Sequence, residues 1–208
     1  MTSPPQPMQE RRHPPQPRHH HVPPGTGTFG MLLFLLALAI LFAASMVLYI
    51  VFRITADGPP LGSVQLPFGL WVSTAIILIS SYTMHRALQN VRHERQTAFR
   101  NAMMLTLLLG VAFLVVQTPS LMGLIAEHRE QLALGEAGMP LYGLVFFLIL
   151  VHAVHVVGGI APLAVFTLNA HAGRYDHESY APIKYMAMYW HFLDVVWILM
   201  FVMLLVGA

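Results

Sequence analysis

Two pairs of ionisable residues lie inside apolar stretches of this 208-residue chain. His152 and His155 are three residues apart in one stretch, and His191 and Asp194 have the same spacing in the next stretch. Imidazoles and carboxylates can transfer protons, ligate a metal or hydrogen-bond a neighbouring helix. Because ionisable side chains are costly at hydrocarbon depth, their presence in such stretches indicates a function or a fixed partner.

The spacing within each pair places both side chains on one face of a helix. At 1.5 Å per residue, His191 and Asp194 lie about 12 and 16 Å from one end of the bundle, and His155 and His152 about 20 and 24 Å from the same end. We therefore predict a contact between His155 and Asp194, within an intramembrane polar network of all four residues. Three interpretations stay open: hydrogen bonds that only fix helix packing, a metal or haem site, and proton handling.

The composition is that of a membrane protein. The chain is 56% hydrophobic and only 10% charged, whereas soluble domains have roughly 25% charged residues. Apolar runs of about 20 residues, long enough to cross a hydrocarbon core, predict an all-α polytopic fold with five transmembrane helices. The predicted helices cover residues 29–52, 66–88, 102–126, 141–168 and 183–206.

The second run differs from the others in its hydroxyl-bearing side chains. Small hydroxyl residues allow close helix approach and hydrogen bonds between helices, so this helix is expected to pack against protein rather than lipid. The residues concerned are Ser73, Thr74, Ser80, Ser81, Tyr82 and Thr83.

The basic residues predict an orientation. Nine of the 11 Lys and Arg residues lie in the N-terminal tail and around the second and fourth connections, which places the N-terminus in the cytoplasm and the C-terminus outside. Residues 1–28 hold 8 of the 15 prolines and are expected to form a disordered Pro/His/Arg-rich cytoplasmic tail. Basic side chains close to a membrane attract anionic lipid head groups. The residues predicted to make such contacts are Arg92, Arg95, Arg174 and Lys184.

The chain has no cysteine. This excludes disulfides, iron–sulfur clusters, thiolate metal sites and cysteine nucleophiles within it.

These residues resemble subunit III of the haem–copper oxidases, in the shorter bacterial form with five transmembrane helices. The resemblance covers the chain from about Gly30 to the C-terminus, and its most specific part is a single block near the end. The matching segments are His152-x-x-His155 with Gly158-Gly159, Arg174-Tyr175, and Tyr189-Trp190-His191-Phe192-x-Asp194-Val195-Val196-Trp197, with weaker matches at Gly30–Leu35 and Gly110–Gln117.

The resemblance implies a non-catalytic accessory subunit of a respiratory terminal oxidase of the cytochrome c oxidase type, in the bacterial inner membrane. Such a subunit contacts mainly subunit I and also subunit II, holds structural phospholipid, and supports assembly, stability and proton uptake. Haem and copper are expected in the partner subunits, with no cofactor, metal or active site in this chain and no nucleic-acid partner. Cytochrome c or quinol would donate electrons to the complex and not to this chain.

The chain departs from the family pattern at Leu38, where the family usually carries a glutamate, and after Gln117, where an acidic residue is usual. Within the family, a quinol oxidase subunit or a nitric oxide reductase-associated homologue are alternatives. Two alternatives come from other classes of protein. One is a small haem-bearing membrane anchor with His152, His155 or His191 as axial ligands, and the other is a small transporter.

Overall fold

The computed structural model describes residues 26–55, 68–134, 139–173, 175 and 180–207, with side chains throughout these ranges except at 120–121, 124–134, 139–142 and 207. Most of the predicted N-terminal tail, residues 1–25, lies outside the described residues, as does Arg174. The last residues of that predicted tail, from Thr26, already belong to the first helix.

Five helices make up the described chain, and no strand occurs in these ranges. Each helix contains a stretch long and apolar enough to cross a membrane, which confirms the prediction of an all-α fold with five such segments. The helices are α1 (Thr26–Thr55), α2 (Phe68–Arg92), α3 (Gln96–Leu134), α4 (Met139–His171) and α5 (Ala181–Gly207).

Helix α3 differs most from its predicted bounds, because it runs for 39 residues rather than from 102 to 126. Its first turns are polar on one side but bury Phe99, and Gln96 Nε2 donates to the carbonyl of Tyr175 at 3.0 Å. An apolar run marks only the part of a helix that can lie in hydrocarbon, so a helix whose polar start makes other contacts extends beyond it.

Helices α2 and α3 form a tight hairpin. The turn between them, residues 93–95, includes Glu94 in a left-handed conformation with φ of 57°. Thr83 Oγ1 and Thr106 Oγ1 share a hydrogen bond of 2.9 Å across the pair, and both residues are buried. The hydroxyl-rich helix therefore packs against protein, as its sequence predicts.

Helix α5 lies at the centre of an up-and-down bundle and packs against α1, α2 and α4. The start of α2 meets the end of α5, where the rings of Trp71 and Phe201 are 5.0 Å apart. Helix α1 lies at the periphery and packs against α4 and α5. Its Phe34 ring is 6.0 Å from that of Tyr189, and Gly27 lies beside Tyr185 one turn earlier in α5, so α1 and α5 run in the same direction.

The α2–α3 and α4–α5 connections lie at one end of the bundle, called here the basic end because Arg92, Arg95, Arg100 and Lys184 lie there. Helix α4 ends at His171 at this end of the bundle, and Gly173 follows with a φ of 72°, the left-handed conformation that is common after a helix C-terminus.

Candidate functional site

Two buried tryptophans of the segment Tyr189–Trp197, called here the C-terminal motif, hydrogen-bond α5 to α2. Trp190 Nε1 donates to Ser80 Oγ, and Trp197 Nε1 donates to Thr74 Oγ1, each at 3.1 Å. Both indoles are 1% exposed, so each N–H is paired where lipid and water cannot reach it. The apolar ring area and the paired N–H together explain why tryptophan suits these two positions.

Two glycines on neighbouring helices make room for the aromatic residues at the start of this motif. A Cβ on Gly110 of α3 would lie 2.9 Å from Cη2 of Trp190, and a Cβ on Gly159 of α4 would lie 2.8 Å from Cε1 of Tyr189. Gly158, the other glycine of the α4 pair, has nothing within 4 Å of that position. Gly159 therefore permits the close approach of α4 and α5, and Gly158 does not take part in it.

His191 and Asp194, the α5 pair, face α2. His191 Nδ1 shares a hydrogen bond of 2.8 Å with Ser81 Oγ, and the same nitrogen lies 3.8 Å from Oδ2 of Asp194. Asp194 is 3% exposed, and neither of its carboxylate oxygens has a hydrogen-bond partner among the described residues. The structure therefore brings His191 and Asp194 together, next to a hydroxyl of the neighbouring helix.

His152 and His155, the α4 pair, face α1 and the bundle interior. His155 Nδ1 donates to the carbonyl of Val151 at 2.7 Å, one turn earlier in its own helix. The ring of His152 is 1% exposed and lies 5.3 Å from Trp197, 6.1 Å from Phe113 and 6.2 Å from Phe42. Neither nitrogen of His152 has a hydrogen-bond partner within the described part of the chain.

The predicted contact between His155 and Asp194 is wrong. The imidazole of His155 bonds its own backbone and packs against Phe42 at 5.5 Å, while Asp194 lies beside His191 and α2. The two pairs are at similar depth, but they contact different neighbours of α5. What joins the two helices here is instead the hydroxyl of Tyr189, which donates to the backbone carbonyl of His155 at 2.9 Å.

Sequence reasoning missed His85 and Gln89 of α2 as members of the polar site, and it treated Ser81 only as a packing residue. Gln89 Nε2 and His85 Nε2 are 3.0 Å apart, and the rings of His85 and His191 are 6.3 Å apart. The signal that could have found them is the spacing of four between Ser81, His85 and Gln89, which places all three on one face of α2.

The described residues contain no group of three or more His, Asp or Glu side chains placed to hold one metal ion. Around His152, where the sequence left an axial haem ligand open, the neighbouring space is filled by Phe42, Phe113 and Trp197. A haem would have to displace these rings.

An apolar groove of about 620 Å³ lies between α1, α4 and α5. It extends from the middle of the bundle towards the basic end. Its lining residues include Met31, Phe34, His155, Gly158, Phe166, Tyr185 and Tyr189.

Three of the basic residues that the sequence predicts to contact lipid head groups are described, and they lie at the basic end. Arg92 is exposed, and its Cζ atom lies 5.3 Å from the ring centre of Tyr180. Arg95 is exposed, and Lys184 is half-buried in the first turn of α5.

Comparison with known proteins identifies the family. A family model described as cytochrome c oxidase subunit III matches residues 17–207. Cytochrome c oxidase subunit 3 of Synechocystis sp. is 28% identical over 190 residues, which cover 88% of this chain and 77% of that protein. Cytochrome bo(3) ubiquinol oxidase subunit 3 of Pseudomonas aeruginosa is 30% identical over 193 residues, which cover 91% of this chain and 90% of that protein.

A third relative, cytochrome c oxidase subunit 3 of Thermostichus vulcanus, is 27% identical over 196 residues, which cover 89% of this chain and 90% of that protein. The match spans all five helices, and the membrane-spanning lengths of these helices agree with an integral membrane protein. The chain belongs to the cytochrome c oxidase subunit III family.

Proposed function

We propose that this chain is a non-catalytic accessory subunit of a respiratory haem–copper terminal oxidase in a bacterial inner membrane. It packs beside the catalytic subunit and supports assembly, stability and proton uptake of the complex. The observation that carries the proposal is the match to subunit III over residues 17–207, together with a C-terminal motif whose aromatic residues hold the bundle together. Haem and copper belong to the partner subunits, of which subunit I is the main contact and subunit II a further one.

The polar side chains of the motif support a packing role. Trp190, Trp197 and His191 each hydrogen-bond a hydroxyl of α2, and Tyr189 bonds the backbone of α4. Hydrogen bonds between membrane helices contribute about 0.6 kcal/mol on average, and their direction fixes which helix faces which. The motif therefore sets the order and rotation of the helices that a partner subunit would meet.

The groove between α1, α4 and α5 supports a role in holding phospholipid. Its walls are apolar side chains at hydrocarbon depth, which suits an acyl chain, and Tyr185 lies at its end near the basic residues. Lys184 is next to Tyr185 in the chain, and Arg92 and Arg95 lie at the same basic end of the bundle, where an anionic or zwitterionic head group would find positive charge. Arg174, which lies outside the described residues, belongs to the same proposed set.

The distribution of Lys and Arg supports a cytoplasmic location for the basic end and the N-terminus, and an outside location for the C-terminus. Electrons would reach the complex from cytochrome c at other subunits. A quinol donor is the second candidate, because the Pseudomonas aeruginosa relative, at 30% identity, is named as a subunit of a ubiquinol oxidase.

Affinity purification of the tagged chain in mild detergent tests the proposal. The expected result is recovery of oxidase subunits identified by mass spectrometry, with haem absorbance that follows those subunits. An isolated chain that carries a stoichiometric haem Soret band would contradict the accessory role and favour a haem-bearing anchor. The donor is then identified by the reduced substrate that the recovered complex oxidises.

Replacement of Asp194 by leucine tests the packing role within the complex. Unlike His152, Asp194 has an ionisable neighbour that can carry the opposite charge, because its Oδ2 lies 3.8 Å from Nδ1 of His191, the nitrogen that also bonds Ser81 of α2. Asp194→Leu removes this interaction and should therefore lower the yield of co-purified oxidase subunits. If the complex stayed intact while proton pumping fell, the packing role would be wrong and a proton-handling role would replace it.

A further inference from the structure

Four polar residues form a continuous line along the junction of α2 and α5, called here the α2–α5 polar seam and defined by Ser81, His85, Gln89 and His191. Ser81 and His191 are hydrogen-bonded at 2.8 Å, and His85 and Gln89 at 3.0 Å. The rings of His85 and His191 are 6.3 Å apart, which closes the line between the two helices.

The seam is open to the outside of the bundle along its length. The side chain of His191 is 37% exposed, and His85 and Gln89 are exposed. His191 uses Nδ1 in its hydrogen bond with Ser81, so Nε2 is available to a group from outside the chain.

The seam runs from the basic end to membrane depth. All four residues belong to stretches long and apolar enough to span a membrane, Phe68–Arg92 and Ala181–Val206. At 1.5 Å per residue, Gln89, His85 and Ser81 lie about 5, 10 and 17 Å from the Arg92 end of α2, and His191 about 15 Å from the start of α5. At the depth of Ser81 and His191 acyl chains offer no hydrogen bonds, so lipid is a poor cover for this part of the surface.

The outer surface of α1 shows what a lipid-facing surface of this protein looks like. In the middle of α1, from Leu32 to Phe52, every exposed side chain is apolar, among them Leu36 at 56% and Ile40 at 62%. The seam has the opposite character, and Arg86 lies exposed beside it with its Cζ atom 5.8 Å from the ring centre of Tyr82.

We infer that the α2–α5 polar seam is covered by a transmembrane helix of another subunit, and that this helix presents an acidic side chain to His85, His191 and Arg86. This inference rests on the proposed function, in which the chain belongs to an oxidase complex. Asp194 and Ser81 lie at Nδ1 of His191, which leaves Nε2 of that ring, together with His85 and Arg86, as groups that favour an acidic partner. A second copy of this chain is a poorer fit, because a two-fold contact would bring like-charged Arg86 side chains towards each other.

Site-directed photo-cross-linking of the complex tests the inference. The absence of cysteine from the chain allows Tyr82→Cys and, as the matched control, Leu36→Cys to be labelled at one position with benzophenone maleimide. The two positions lie at the same depth, about 15 Å from the basic end, and Tyr82 and Leu36 are 61% and 56% exposed.

The expected result in native membranes is an adduct between residue 82 and another membrane subunit, with no protein adduct from residue 36. An adduct of residue 82 with a second copy of this chain, or lipid adducts alone, would overturn the inference. An adduct with another subunit from residue 36 and none from residue 82 would overturn it as well.

A second measurement distinguishes an effect on the partner-binding surface from an effect on the folding of the chain. His191→Leu should lower the retention of the partner subunit about threefold, the effect of one inter-helix hydrogen bond, whereas His152→Leu, at an interior position, should not lower it. Equal retention with both variants would overturn the inference. If the tagged chain recovers no haem-containing partner, the proposed function fails, while the adduct formed at residue 82 still decides whether another membrane protein covers the seam.

Discussion

His152 and His155 on α4, and His191 and Asp194 on α5, have the same spacing but different neighbours. The α4 pair is held by aromatic rings and by its own backbone, with His152 only 1% exposed. The α5 pair meets a hydroxyl of α2, and the side chain of His191 is 37% exposed. In each pair one member is buried, His152 and Asp194, and the other is half-buried. The half-buried His155 lines the groove between α1, α4 and α5, whereas the half-buried His191 lies at the α2–α5 polar seam.

The difference shows that the role of an ionisable residue in a membrane helix depends on the helices around it. Both pairs lie at similar depth, so the cost of burial alone would give them the same role. Trp197 contacts the α4 pair through His152 and also hydrogen-bonds α2. It therefore links the interior packing around His152 to the contact between α2 and α5.

Trp197→Ala should have the largest effect on the difference between the two pairs. Loss of a buried indole costs about 3–5 kcal/mol in the free energy of unfolding, which SDS titration in mild detergent can measure. Trp71→Ala is the matched control, because Trp71 is 50% exposed. Equal losses for the two variants would show that the interior position of Trp197 is not what stabilises the bundle.

Gly159→Ala should come next. The added methyl would meet the ring of Tyr189 at 2.8 Å, and overpacking of this kind costs about 1–3 kcal/mol. The control is Gly158→Ala, for which nothing lies within 4 Å. The same unfolding assay checks the pair, and a stable Gly159→Ala variant would mean that α4 and α5 can separate at no cost.

The sequence predicts the number and type of the helices because apolar runs of membrane length are a direct consequence of hydrocarbon thickness. It predicts the start of α3 poorly, since Phe99 and Gln96 contact Tyr175 in the connection between α4 and α5 and so extend that helix. Contacts between distant segments of the chain leave no mark in local hydrophobicity.

His152→Leu should have a smaller effect of opposite sign. Both ring nitrogens of His152 are buried without a partner in the described structure, and replacement of an unpaired buried polar group by an apolar one recovers about 1 kcal/mol. The midpoint of SDS unfolding should therefore stay the same or rise. A clear fall would mean that the imidazole has a hydrogen-bond partner such as a buried water.

The sequence predicts which residues of α5 lie together in the candidate site, but it does not predict which neighbouring helix they contact. The spacing of three correctly places His191 next to Asp194, because that relation lies within one helix. The partner of this pair depends on the rotation of α5, which Trp190 and Trp197 set through their bonds to Ser80 and Thr74. Estimates of depth fix only the position along the membrane normal, so they could not distinguish α2 from α4 as the neighbour.

Double-mutant cycles test the separate surroundings of the two pairs most directly. One cycle combines Ser81→Ala with His191→Leu, and the other combines His155→Leu with Asp194→Leu, with the free energy of unfolding as the readout. The expected coupling is about 0.6 kcal/mol between Ser81 and His191, as for other inter-helix hydrogen bonds, and near zero between His155 and Asp194. Equal or stronger coupling between His155 and Asp194 would contradict the arrangement described.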